Sequence, residues 1–416
     1  MKIQFLSGSK CVGKSAILVS EEANLMLDYG VRLHPEPPEY PPLPQVDELD
    51  AVIPSHCHLD HCGAIPILYK VFRPILYTNG VSFELINLLI RDSAKITRLK
   101  HFPQKFSKRD IGRMRRHYQL INYRHPFKVG DLRVTAYSAG HVPGSAMILV
   151  EGKKKVLYTG DVNLKDTELL KGCDLPNVRP DVLIIESTYA ERDHPDRLNQ
   201  EKRFIGKIQE TLANNGSVVI PVFAVGRAQE ILLLLEKYGI EDKIALDGMA
   251  KKASEIILSY KRYLRDPQRL KRILNKVEWV KNQRQRESLL RRPRIILATA
   301  GMMGGGPVVY YMSELHDRED CRVLLVGYQV EDTPGRTLMD TKHYEINGEV
   351  FKVRIGVEKF DFSSHAGGKD LVEIVRRLKP KKVFCVHGDD TQRFAKTLRA
   401  RGFDASSPEE GEVFEI

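Results

Sequence analysis

Apolar residues along the chain fall into short runs closed by polar or glycine-bearing turns, the pattern of an α/β protein rich in brief strands. Lys2–Leu6 reads as a strand. The β-branched-rich run Ser15–Val19, the polar pair Glu21-Glu22 and the run Leu25–Leu27 then read as strands of an opening hairpin. Further strands are expected at Val134–Tyr137, Lys155–Tyr158, Val182–Ile185 and Lys382–Val386. Strands and helices alternate as far as about Ala190, where Glu191–Asn199 turns polar. A helix near Glu201–Ala213, the strand Ser217–Pro221 and a helix at Gly226–Lys237 follow. With 416 residues, 42% of them hydrophobic, the chain can bury more than one core, so two domains are expected.

The run His56-Cys57-His58-Leu59-Asp60-His61 sets three imidazoles and a carboxylate within six residues. Those are the ligand types that borderline divalent ions such as zinc take, so a metal is expected here. His56 and His58 alternate along an extended segment and point the same way, while Asp60 and His61 can turn to a neighbouring position. Two adjacent ions follow from that division. Other ligands are expected at later strand ends: His141 after Ser138-Ala139-Gly140, Asp161 after Thr159-Gly160, and His387 before Gly388. A buried carboxylate such as Asp161 can bridge two cations and hold them about 3.5–4 Å apart.

Two other motifs compete. Gly8–Ser15 (GSKCVGKS) satisfies the phosphate-binding P-loop pattern, but β-branched residues follow it where a helix start is needed, so no nucleotide cofactor is expected. Cys57 and Cys62 flank the ligand run, and thiolates bind zinc. Cys57, however, lies between two ligands on a strand-like segment and points away from them, and no CxxC pair occurs among the six cysteines. The thiols are expected to be reduced. No long apolar stretch opens the chain, so neither a signal peptide nor a membrane span is expected, and a cytoplasmic location is.

The formal charge of +11 is unevenly placed. Between Lys251 and Arg294 there are fifteen Lys or Arg against four Asp or Glu, and Arg91–Arg116 is a second basic stretch. Both read as largely helical. In the first, Ile256, Ile257, Tyr260 and Leu264 recur at helical spacing, which leaves Lys261, Arg262, Arg265 and Arg269 as candidates for a phosphate backbone.

The order of HxHxDH, a histidine in AGHxxGS, an aspartate in TGD and a distal histidine resembles the metallo-β-lactamase fold. Phe223–Glu230 (FAVGRAQE), Gly301–Gly306 (GMMGGG), Phe362–Ala366 (FSSHA) and Val386–Gly388 (VHG) are similar to its β-CASP branch. The nearest likeness is to the archaeal and bacterial RNA-cleaving relatives of the cleavage and polyadenylation specificity factor nuclease, with ribonuclease J more distant. The resemblance implies an αββα sandwich with an inserted α/β β-CASP domain, divided as residues 1–190, 191–361 and 362–416. It implies two zinc ions, with manganese as the alternative. His56, His58 and His141 would hold one ion and Asp60, His61 and His387 the other, with Asp161 between them. Asp28 would orient the ligand cluster, His365 would protonate the leaving oxygen, and Glu186 would orient His365.

The implied function is a metal-dependent ribonuclease of RNA processing or decay, working as a 5′-to-3′ exonuclease, an endonuclease or both. Ser363, Ser364 and the amides around Gly304 and Gly305 would suit a terminal phosphate. RNA is the implied partner, and homodimerisation is common among these relatives. The alternatives are a catalytically silent RNA-processing subunit and a DNA-directed nuclease of the same fold.

Overall fold

Alternation of inward and outward side chains builds the sheets of this protein. In the strand Leu132–Ser138, for example, Leu132, Val134 and Ala136 are buried, while Arg133 stays exposed beside Glu151 at 3.8 Å. The computed structural model describes residues 1–346 and 348–416. They form two compact units, one of Met1–Asp166, Lys171–Asp193 and Ser364–Ile416, the other of Thr167–Leu170 and His194–Ser363.

The first unit is an αββα sandwich. One seven-stranded sheet runs Val413–Glu415, Lys2–Ser7, Ala16–Ser20, Asn24–Tyr29, Ala51–Ile53, Ile75–Thr78 and Tyr118–Leu120. The other runs Ala405–Ser406, Lys382–Val386, Val182–Glu186, Lys155–Tyr158, Ala146–Glu151, Leu132–Ser138 and Phe127–Val129. Each sheet is antiparallel on one side and parallel on the other. Between them Ile3, Phe5, Ile17, Val19, Leu25 and Leu27 meet Val134, Ile148, Val150, Val156, Ile184 and Phe384. The outer face of the second sheet is covered by the helices Gly368–Leu378 and Thr391–Arg399, whose Leu371, Ile374, Val375, Phe394 and Leu398 pack on Leu149, Leu157, Leu183 and Val383. The helices Ile65–Val71, Gly80–Leu99 and Lys108–Met114 accompany the first sheet.

The opening hairpin forms as expected from its β-branched residues, and Gly8–Ser15 leads into the strand Ala16–Ser20. Pairing between this strand and Asn24–Tyr29 slips by one residue, Ala16 facing Tyr29 and Ile17 facing Leu27. Asp28 is the bulged residue, with a left-handed φ of 57°. A polar side chain is thereby taken out of the strand alternation and buried completely.

The second unit holds a six-stranded parallel sheet in the order Glu278–Trp279, Ile244–Asp247, Ile295–Ala298, Val218–Pro221, Arg322–Leu325, Gly356–Lys359, and a separate hairpin of His343–Ile346 with Glu349–Lys352. Its first helix, Arg197–Ala213, begins four residues before the expected Glu201, capped by Asp196, whose carboxylate accepts the Asn199 amide. The basic segment 251–294 holds three α-helices, Ala250–Ser259, Pro267–Lys276 and Gln283–Leu289, with a 3-10 turn at Lys261–Tyr263 after the first. The first piece ends before Tyr260 and Leu264, and its buried face is Ala250, Ala253, Ser254 and Ile257. No helix among the described residues is long and apolar enough to cross a membrane.

Candidate metal centre

Every side chain of the centre stands where a strand of the first unit stops. The strand Ala51–Ile53 ends just before His56, and the run His56–His61 does not stay extended: Leu59–Cys62 is one helical turn. That turn swings Asp60 and His61 away from the direction of His56 and His58. The strands Leu132–Ser138, Lys155–Tyr158 and Lys382–Val386 end just before His141, Asp161 and His387 respectively, while Glu186 is the last residue of Val182–Glu186.

Two groups of ligand atoms converge. In the first, His56 Nε2 is 3.0 Å from His58 Nδ1, His141 Nε2 is 3.3 Å from the same atom, and Asp161 Oδ2 is 3.5 Å from both His56 and His141. In the second, His61 Nε2 is 3.2 Å from Asp161 Oδ1, His387 Nε2 is 3.6 Å from it, and Asp60 Oδ2 is 3.7 Å from both histidines. A tetrahedral zinc with bonds near 2.0–2.1 Å requires neighbouring ligand atoms about 3.3–3.4 Å apart, so both groups fit the ion. Orphaned atoms point the same way. His61 Nε2, His387 Nε2 and Asp161 Oδ1 are buried without a hydrogen-bond partner among the described residues. Buried polar atoms are seldom left so unless something is missing between them.

Electrostatics agree with ligation. Burial, reinforced by neighbouring imidazoles, holds His56 and His141 well below the ordinary histidine range, so they stay neutral with a lone pair to give. Burial alone would also depress His61, but the Asp161, Asp28 and Asp60 carboxylates outweigh it and raise it well above that range. A proton there occupies the place a cation would take. Cys57 is pushed up to about 12 by burial and Cys62 well above the ordinary thiol range, and the Cys62 thiol lies 3.1 Å from the Cys57 carbonyl. Neither is a thiolate ligand.

The other ring nitrogen of four of the five candidate ligand histidines is held, which fixes rotation and tautomer, while His58 Nε2 has no hydrogen-bond partner among the described residues. His61 Nδ1 is 2.6 Å from Asp28 Oδ2, and Asp28 also accepts from Tyr158 Oη at 2.6 Å and from Ser55 N and Oγ at 2.5 and 2.9 Å. His56 Nδ1 meets Ser55 Oγ at 3.1 Å. His141 Nδ1 donates to the Ser364 carbonyl at 2.9 Å, and His387 Nδ1 lies 2.8 Å from Ser15 Oγ. Sequence reasoning missed Ser15, Ser55 and Tyr158. In the sequence Ser15 is only the last residue of the P-loop-like motif and the first of the run Ser15–Val19; Lys14 of that motif pairs in the structure with Glu39 at 3.0 Å and Glu410 at 3.5 Å.

His365 stands at the edge of the centre. Its ring lies 4.5 Å from that of His141, Nε2 is 3.9 Å from Asp161 Oδ2, and Nδ1 is 3.0 Å from Glu186 Oε2. Glu186 is itself buried and accepts the Val162 amide at 2.7 Å. Burial disfavours a charged His365, but Glu186 and Asp161 prevail and lift it to about 9.

Of the expected phosphate-binding cations, Lys261, Arg262 and Arg265 are exposed. Arg262 lies over the Tyr263 ring and Arg265 donates to the Thr167 carbonyl. Arg269 must be corrected. Its guanidinium is taken up by Glu168 and Glu236, both at 2.7 Å, and by the Leu233 carbonyl, so it is a clamp inside the second unit. Gly304 and Gly305 lie in the loop between Ile295–Ala298 and Pro307–Leu315, and a Cβ at Gly305 would meet nothing within 4 Å. Ser363 N donates to Asp361 Oδ1, and Ser364 serves His141 through its carbonyl.

Comparison with known proteins adds three family matches: a β-lactamase superfamily domain over residues 24–204, a β-CASP domain over 228–338, and a Zn-dependent metallo-hydrolase RNA specificity domain over 350–408. The chain is 39% identical to "Probable RNase MJ4" of Methanocaldococcus jannaschii, with both proteins covered end to end. It is 33% identical to "RNase aCSPSF2" of Saccharolobus solfataricus, over the whole chain and 85% of that protein. It is also 33% identical to "Transcription termination factor FttA" of M. jannaschii, over 96% of the chain and 69% of the relative. Among solved structures, a protein of unknown function from Enterococcus faecalis V583 shares the fold, with a TM-score of 0.62 at 16% identity over 99% of each chain.

Proposed function

The chain belongs to the β-CASP ribonucleases of the metallo-β-lactamase fold, and from that premise we propose that it hydrolyses RNA at a centre of two zinc ions. It is a metal-dependent nuclease of RNA processing, in line with relatives that are named ribonucleases. His56, His58 and His141 would hold one ion and Asp60, His61 and His387 the other, with Asp161 shared between the two groups. The observation that carries this reading is the placement of Asp161, with Oδ2 at 3.5 Å from His56 and His141 and Oδ1 at 3.2 and 3.6 Å from His61 and His387. When bound, such a pair of ions generates a nucleophile from water at neutral pH and neutralises charge on the phosphoryl oxygens.

The chain's own residues complete the reaction. The departing sugar oxygen needs a proton, and His365 supplies it from Nε2, the ring atom that faces the centre. Glu186 keeps the other nitrogen protonated and the ring aimed. Asp28 fixes His61, and with it the second ligand group.

The test offers a uniformly labelled RNA, the matching DNA and a thioester to one preparation, alongside metal analysis. Cleavage of RNA with two zinc ions per chain is expected. Thioester hydrolysis without RNA cleavage overturns the reading. For direction, we take 5′-to-3′ trimming with some internal cutting, the amides at Gly304 and Gly305 suiting a terminal phosphate. RNA with a 5′-monophosphate should then be degraded faster than its triphosphate form. Equal rates on a circular RNA and its linear 5′-monophosphate form would leave an endonuclease alone.

A further inference from the structure

The helix Gly80–Leu99 carries a charge pattern that the metal centre does not use. Its N-terminus is fastened near that centre: the Asn79 amide and the Ser82 hydroxyl both donate to the Gly144 carbonyl, three residues beyond His141. From there twenty residues run about 30 Å. Arg91, Lys95 and Arg98 recur at spacings of four and three, so they share one exposed face, beginning roughly 16 Å along the axis. Like charges at such spacings weaken a helix slightly, so this face is not a choice made for stability.

The chain continues the pattern past the helix. Between Arg91 and Arg116 stand ten Lys or Arg and two Asp or Glu. Lys100 pairs with Glu36 and Arg113 with Asp110, and no carboxylate within 4.0 Å neutralises the other eight among the described residues. Arg98 and Lys108 meet at a cleft of about 400 Å³ whose wall also includes Gln104, Phe106 and Ile111. Cations beside an aromatic face and an amide are what a single-stranded nucleic acid takes up: phosphates on the cations, a base on the ring.

We propose that the face Arg91–Lys95–Arg98, with Lys108 and the Phe106 cleft, is a second RNA-binding site that holds the strand away from the cleavage point. It rests on RNA being the substrate. An acidic polypeptide would satisfy the charge but leave the aromatic cleft unexplained, so RNA is the better occupant. The geometry makes the contribution depend on length, because a strand at the centre must extend along the helix before it reaches Arg91.

The test is fluorescence anisotropy with a labelled, hydrolysis-resistant phosphorothioate RNA in increasing lengths and salt concentrations. It compares the full chain with a variant combining Arg91→Gln, Lys95→Gln, Arg98→Gln and Lys108→Gln, all at exposed positions. Wild-type affinity should rise with length and level off earlier in the variant. The slope of log affinity against log salt should flatten by about 0.7 per lost phosphate contact, or roughly 2–3 in all. Phe106→Ala should weaken binding about five- to a hundred-fold while leaving the slope unchanged. An unaltered slope and length dependence in the fourfold variant overturns the proposal, as does a polyglutamate probe that binds in place of RNA. If RNA binds as expected but is not cut, the hydrolytic reading fails and this site stands. If RNA is cut with the slope unaltered, this site alone fails.

Discussion

At the scale of single residues, the proposed roles divide between holding ions and moving a proton. Asp161→Ala should lose both metals, because one carboxylate serves both groups and no neighbour can take its place. Elemental analysis showing two ions retained would remove Asp161 from the bridge. His365→Ala should keep its metals and lose turnover by about 10²–10⁴-fold, the scale of a missing general acid. Loss of metal would instead make His365 a ligand. Glu186→Gln has a signed effect on the pH profile. The carboxylate raises His365, so its removal lowers the imidazole's pKa, and the protonated form disappears at a lower pH. The alkaline limb of the rate profile should therefore move to lower pH, a shift that a loss of folded protein does not produce. The candidate ligands were legible because four of the seven share one six-residue run and the other three stand at strand ends beside a small residue. Ser15, Ser55 and Tyr158 were not, because an ordinary hydroxyl acquires its meaning only from partners up to 372 residues away.

Elements show why the ligands meet at all. Strand ends were readable from apolar runs, and His141, Asp161 and His387 were found by looking just beyond them. What periodicity concealed was the break in it: Asp28 sits in a one-residue bulge, and the His56–His61 run winds into a helical turn. Ser15→Ala tests the orientation such elements provide. It removes the partner of His387 Nδ1 and should weaken metal binding about 10–100-fold, measurable by competition with a chelator. Unchanged affinity would reduce Ser15 to packing. The basic stretch was misread at Arg269 for a related reason, its carboxylates lying 101 and 33 residues away. Arg269→Ala removes the cation that Glu168 and Glu236 share in a half-buried setting, leaving Lys237 on Glu168 and Arg272 on Glu236. It should cost about 2–3 kcal/mol, below a fully buried pair because solvent screens it in part, and should show in urea midpoints with the RNA salt slope untouched.

For the whole molecule, the αββα sandwich and its insert were foreseen from motif order, while the sheet order of the inserted unit was not, since parallel pairing joins strands far apart in sequence. The helical segment from Arg91 was read as one basic stretch, yet only its spacing along a helix tethered at Gly144 gives it direction. His56 and His387 belong to the same centre but are separated by nearly the full chain, with the inserted unit, residues 194–363, between them. During synthesis the inserted unit emerges complete while the second ligand group still lacks His387. The centre therefore cannot assemble on a nascent chain until the ribosome has passed His387 and released it, so the growing chain is held inactive by its own order of synthesis.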